Sequence, residues 1–494
     1  MQITSRKIET SHLTANDAAL YRCQKALELR DRGDFDTAQE VMRPLWSGVS
    51  QRPDTSGLHP SVVAEVLLCV GILTRWLASR NQIKEADGWA RDLITEAITF
   101  YESVGDLKKV AEARTELAYC YFREGSFDEA RIHFTEALRR LTTEGKTRAN
   151  AILGLAVVEW SSSRNQEALT ILTTNAPLFQ KLTHHAMKGF YHNTLAQVLQ
   201  TLVTPEKKAE QLRRVVSEYE QADHEFKLAR NIVFRALVKN NLGIVLRDQS
   251  RYREAQEYLD QARRLLTSVR DKVRTAQIDQ ARAEVMIEQK RFDEAEKVAR
   301  SAATSFQKSG RQCLLVEALT VRGIALARLQ RKDEAQFTFQ RAIEIAQQVN
   351  ALNQAGIAAL TMIEEIDDLS PETLRVAYRR ASEWLAKSQS PDLLRRINAA
   401  ANKVVSKVEG EPMTEDADVL LNKPLDFERE KLATEKAMIK RALAQANGSL
   451  TRAASLLSMT YQKLAYILET RHSDLLKERT PIRRRGRKDE ENNS

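Results

Sequence analysis

Residues Gly125-Ser126-Phe127-Asp128-Glu129-Ala130, GSFDEA, return along the chain in altered form. Related strings end at Ala38 (GDFDTA), Ala86 (NQIKEA), Ala168 (RNQEA), Ala255 (SRYREA), Ala295 (KRFDEA) and Ala335 (RKDEA). Their alanines are 48, 44, 38, 87, 40 and 40 residues apart, a period of about 40, and the double interval leaves room for one degenerate unit near Ala209. Twelve residues before each alanine stands Ala26, Thr74, Ala118, Ala156, Gly243, Ala283 or Gly323. Antiparallel helices joined by a tight turn approach closely only where the contact side chains are small, so the pattern reads as a packing rule. Composition agrees: 494 residues hold 17 Gly and 10 Pro, too few for a turn-rich β-protein, and 43% are hydrophobic, enough for a large core. The expected fold class is all-α.

The unit Leu117-Ala118, Tyr121, Gly125, Ala130, Phe134 and Ala137 carries the whole pattern at once. It resembles the tetratricopeptide (TPR) family, and the likeness extends over residues 19–348. The resemblance implies an α-solenoid of seven to eight helical hairpins over residues 1–350, with a concave groove that holds a partner protein, a peptide or a ligand. The consensus proline after the second helix is absent, and the period exceeds the family's usual length of about 34 residues, so longer helices or connections are expected. Residues 351–408 read as helices that cap the solenoid, with Pro371 and Pro391 as first-turn residues. Residues 409–425 (EGEPMTEDADVLLNKPL) break every helical period and read as a flexible acidic linker.

Beyond that linker, residues 426–476 read as a small domain. Leu432, Met438, Ile439, Ala442, Leu443 and Ala446 recur at helical steps from Phe427 on, and Asn447-Gly448 ends the pattern. Ser449 offers a cap to a short second helix with Ala453, Ala454, Leu456 and Leu457 on its apolar side. Thr460 caps a third helix carrying Leu464, Ile467 and Leu468 inward. The string Gly448-Ser449-Leu450-Thr451-Arg452-Ala453-Ala454, followed by Leu457-Ser458-Met459 and Leu464, resembles the Fis-type helix-turn-helix of bacterial transcription regulators. Ser458 stands where that family usually has Gly, and Tyr461 where it often has a basic residue. The resemblance implies that Thr451 and Arg452 contact the phosphate backbone while Thr460, Tyr461, Gln462, Lys463 and Tyr466 face the major groove. A reading without DNA takes the same side chains as the solvated face of a bundle that docks another protein.

Charge is unevenly distributed. The whole chain has 76 Lys plus Arg against 67 Asp plus Glu, but Lys477–Lys488 (KERTPIRRRGRK) holds seven basic residues and one acid. Residues 477–494 therefore read as a basic disordered tail. Arg471 and His472, with Arg483, Arg484 and Arg485, extend the expected nucleic-acid contact along the phosphates or the minor groove.

Other chemistry is absent. No phosphate loop, nucleophile elbow, His-Glu-x-x-His helix or dinucleotide fingerprint occurs, so neither an enzyme nor the ATPase of enhancer-binding activators is expected, and no cofactor is implied. His184, His185 and His192 cluster without carboxylates at ligand spacing, which argues against a metal. Cys23, Cys69, Cys120 and Cys313 are far apart and read as small core residues. The apolar stretch Val62–Leu73 is too short to cross a bilayer, and residues 1–17 lack a secretory h-region. The expectation is a cytoplasmic, nucleoid-associated DNA-binding regulator, dimeric on double-stranded promoter DNA and without membrane contact. The alternative is a TPR scaffold with no specific DNA target.

Overall fold

The structure, a computed structural model, describes residues 12–81, 86–204, 207–386, 388, 390–408, 427–446, 448–457 and 459–478. These are helical, with no strand among the described residues, and fall into two units, Met1–Val405 and Ser406–Ser494. The linker expected at 409–425, the turn residue Ser458 and the arginines at 483–485 lie outside the described residues.

The first unit is a stack of hairpins. Its N-terminal half comprises α1 (Ala15–Asp31), α2 (Phe35–Met42), α3 (Pro60–Asn81), α4 (Ala86–Ser103), α5 (Leu107–Glu124), α6 (Phe127–Arg140), α7 (Lys146–Ser161), α8 (Asn165–Thr174), the short α9 (Ala176–Lys181), α10 (His185–Thr201) and α11 (Lys208–Leu228). The second half follows with α12 (Ile232–Asp248), α13 (Tyr252–Ser268), α14 (Lys272–Glu288), α15 (Phe292–Lys308), α16 (Gln312–Arg328), α17 (Lys332–Gln348), α18 (Leu352–Glu365), α19 (Pro371–Trp384) and α20 (Pro391–Val408).

Each of α12 to α17 has 17 residues, which accounts for the long period. The small residues lie where the helices of a pair cross: Ala26, Thr74, Ala118, Ala156, Gly243, Ala283 and Gly323 are all buried. A Cβ at Gly243 would lie 2.6 Å from Leu259 Cγ, and one at Gly323 would lie 2.7 Å from the Phe339 ring. The turn alanines Ala38, Ala86, Ala130, Ala168, Ala255, Ala295 and Ala335 are likewise fully enclosed. The acidic residues beside them occupy first turns, and Arg251–Glu254, Arg291–Glu294 and Arg331–Glu334 pair at 2.6 to 2.7 Å across those turns.

A degenerate hairpin, α10/α11, fills the double interval near Ala209; Ala209 itself is exposed, and the pair packs Gly189 against Phe226. Past Gln348 the helices also pack as hairpins, α18 on α16 and α19, with Gly356 against Leu385. Two expectations need correction. Cys313 is exposed because it is the second residue of α16, whereas Cys23, Cys69 and Cys120 are buried. Finally, the apolar run is longer than Val62–Leu73: Pro60–Ala78 is long and apolar enough, by length and composition, to cross a membrane. Most of it is buried, because α3 is enclosed by α1, α4 and α5.

Candidate nucleic-acid interface

The second unit contains α21 (Phe427–Gln445), α22 (Leu450–Leu456) and α23 (Tyr461–Thr470), followed by a 3-10 turn at Ser473–Glu478 that enters the stretch assigned to the tail. Its local geometry follows from a few residues. Gly448 adopts a left-handed conformation, φ 77°, and its N–H donates to the Leu443 carbonyl at 2.9 Å, which terminates α21. Ser449 precedes α22 without a side-chain cap bond, contrary to expectation. Thr460 does cap α23: its hydroxyl accepts from Lys463 N–H at 3.3 Å.

Ile439, Leu443, Ala453, Ala454, Leu464 and Leu468 form the centre of a small core. Three residues assigned to apolar faces lie outside it: Leu432, Met438 and Leu456 are exposed. With α23 anchored through Leu464, Ile467 and Leu468, the opposite side presents Gln462, Lys463 and Tyr466 to solvent, and Tyr466 is 64% exposed. Thr460 and Tyr461 stand exposed at the helix start, and Thr451 and Arg452 are exposed on α22. All seven proposed contact residues on α22, the turn and α23 are thus solvent-facing. Glu469, on the same side of α23 and also exposed, was missed in the sequence.

The cations divide into two sets. Among the described residues neither Arg452 nor Lys463 has a carboxylate partner. Arg471 instead pairs with Glu435 of α21 at 3.3 Å, and the same carboxylate accepts from His472 at 3.0 Å. His472 is buried, so it closes the core of this unit and does not reach outward as expected. Lys436 is similarly paired, with Asp474 at 2.7 Å. Glu435 lies 36 residues before Arg471, a distance at which sequence offers no pairing signal.

In the first unit the three clustered histidines each take their own carboxylate. His184 meets Asp31 at 3.1 Å, His185 meets Glu225 at 2.7 Å and His192 meets Glu218 at 2.7 Å. No group of three metal-ligating side chains is found among the described residues.

Comparison with known proteins agrees with this architecture. Tetratricopeptide repeat models match residues 94–145, 234–308 and 316–349, and the model described as "Bacterial regulatory protein, Fis family" matches residues 432–469. No curated protein sequence is significantly similar to the chain. Among solved structures, a signal transduction ATPase with numerous domains (STAND) that has a tetratricopeptide repeat sensor, from Pyrococcus horikoshii, is similar at TM-score 0.53 and 12% identity. That match covers 74% of this chain and 55% of the archaeal protein. Yeast Tom70 is similar at TM-score 0.44 and 13% identity, with 81% of this chain and 84% of that one covered. A Rap protein complexed with competence and sporulation factor is similar at TM-score 0.43 and 13% identity, covering 79% and 99% respectively. The chain carries multiple tetratricopeptide repeats and, at its C-terminal end, a helix-turn-helix of the Fis family.

Proposed function

We propose that the chain is a DNA-binding transcriptional regulator, cytoplasmic and nucleoid-associated, and not an enzyme. Its solenoid takes up a partner protein, peptide or ligand, and its helix-turn-helix binds double-stranded promoter DNA as a homodimer. The observation that carries this reading is the polar face of α23, Gln462, Lys463 and Tyr466, held outward by Leu464, Ile467 and Leu468, with Arg452 and Lys463 free of carboxylates among the described residues. A helix presenting amide, ammonium and phenol groups on one side suits base edges and phosphates together. The exposed apolar side chains of Leu432, Met438 and Leu456 support self-association, since a second copy would remove them from water.

Gel-shift titration of the full chain tests the reading. Affinity for selected genomic fragments should fall steeply with salt, and Lys463→Ala should lower the salt slope by about one. Truncation before Lys477 should weaken binding to all sequences alike. Binding that random competitor DNA removes equally at every site would leave only the scaffold reading.

A further inference from the structure

The first unit closes on itself. The Asn231 side-chain amide donates to the Asp31 carbonyl at 2.9 Å across 200 residues, and Asp31 Oδ2 also meets His184 and Lys146, at 3.1 and 2.7 Å. This seam joins α1 to the start of α12 and surrounds a cavity of about 390 Å³ lined by α1, α3, α5, α7, α10 and the first residues of α12. The volume lies in the range of small-ligand sites, roughly 300–1,000 Å³.

Its walls combine aromatic rings with spent carboxylates and unspent donors. Trp76, Phe190 and Phe234 form a continuous aromatic surface, with centroid separations of 6.0 Å from Trp76 to Phe234 and 4.6 Å from Phe190 to Phe234. Arg75 is 7% exposed; its Nη2 donates to Glu116 at 2.7 Å and its guanidinium lies 4.8 Å from the Tyr119 ring centre. Glu116 is satisfied by Arg75 and by Asn150 Nδ2 at 3.2 Å, while Asp31 is satisfied by Arg30, Lys146 and His184. Among the described residues, two buried donors on adjacent residues of α3, Arg75 Nε and Trp76 Nε1, have no partner. Burying a donor without an acceptor is costly, and because both nitrogens are closed off from the empty cavity, an acceptor reaches them only after a small shift of the two side chains.

We infer that this cavity is the sensor site, and that it binds a small planar aromatic molecule bearing a carboxylate or similar acceptor group. The inference rests on the sensor role proposed for the solenoid and gives it a place and a ligand chemistry. The ring lies against the aromatic surface, and the acceptor group relieves the unpaired donors of Arg75 and Trp76 as these side chains turn toward it. Lys146 and Arg123, paired with Asp31 and Asp87, also line the cavity, as does the carboxylate of Glu112.

The experiment uses the full chain and 8-anilinonaphthalene-1-sulfonate as a fluorescent aromatic anion, displaced by indole-3-acetate or by tryptamine, the same ring carrying an amine. The expected result is saturable binding at a single site, with indole-3-acetate competing at least about tenfold better than tryptamine. Arg75→Lys, which keeps a cation for Glu116 but lacks Nε, should weaken indole-3-acetate by about tenfold. Val157→Trp and Thr194→Phe fill the cavity from two different walls, and each variant that retains the parental melting transition should lose binding. No saturable binding, equal competition by the two indoles, or undiminished binding in a folded cavity-filling variant would overturn the inference. Gel shifts on the same preparations separate the two proposals: loss of the ligand site leaves DNA binding intact, and absence of DNA binding leaves the ligand titration unaffected.

Discussion

The Asp31 carboxylate meets three side chains at once, those of Arg30, Lys146 and His184. Burial alone would raise its carboxyl, but hydrogen bonds from His184 and the charges of Arg30 and Lys146 hold it well below the usual carboxylate range. A depressed folded pKa contributes stability that is complete above the unfolded value and is lost as pH falls through the folded one. The stability difference between the parent and Asp31→Asn should therefore be constant above about pH 5 and shrink from about pH 4 downward. Urea melts at stepped pH measure it, and a difference independent of pH would refute the assignment. Arg30 is its neighbour in sequence, but the partners Lys146 and His184 were not legible there, because they stand 115 and 153 residues away. Arg471 escaped for the same reason: a cation read as facing DNA is paired with Glu435, which sequence spacing does not reveal. Thr460, Leu464, Ile467 and Leu468 were legible because capping and helical periodicity act within a few residues.

At the scale of the element, the 40-residue period proves to be two periods of 20. A left-handed residue closes each helix at Arg230, Ser250, Arg270, Lys290, Gly310, Gln330 and Asn350, with φ between 55° and 68°. The conformation belongs to the helix C-terminus, where an amide turns back to the carbonyls of the preceding turn, as Arg251 N–H does to Leu246. Only one of these seven positions is glycine, which is why the half-period was invisible in the sequence while the full period, carried by alanines and small crossing residues, was plain. A Cβ at Gly310 would meet nothing within 4 Å, so its substitution isolates the backbone effect. Gly310→Ala should cost about 1 kcal/mol, and Gln330→Gly should gain about 0.5 kcal/mol after the entropy of glycine in the unfolded chain is deducted. Chemical denaturation of the two variants checks both signs. Opposite signs at Gly310 and Gln330 are the essential outcome, since a general loosening of the stack would lower both.

On the scale of the molecule, the seam between α1 and α12 distinguishes two regimes within one solenoid. From α12 to α19 each hairpin packs chiefly on its neighbours, so openings stay local. Between α1 and α12 the ends are bonded to each other, and Gly33 is held at φ 76° where a Cβ would lie 2.8 Å from Asn231 Oδ1. Hydrogen exchange should therefore report one cooperative block over residues 15–248. Asn231→Ala and Gly33→Ala, on opposite sides of the seam, should each speed exchange in both α1 and α12 while leaving α16 unchanged. Acceleration confined to the mutated side would show that the seam transmits nothing. The stacking of hairpins was legible in the sequence, but their closure was not: repeat spacing fixes which units are neighbours and says little about how far each turns relative to the last.

That closure also constrains how such a chain can change in length. Duplication or loss of one forty-residue module beyond α12 adds or removes a link in an open chain, and the remaining modules can join as before. The same event between α1 and α12 would carry Asp31 away from Asn231 and break the ring, so length variants that still fold should differ after residue 248 and keep the first part at constant size.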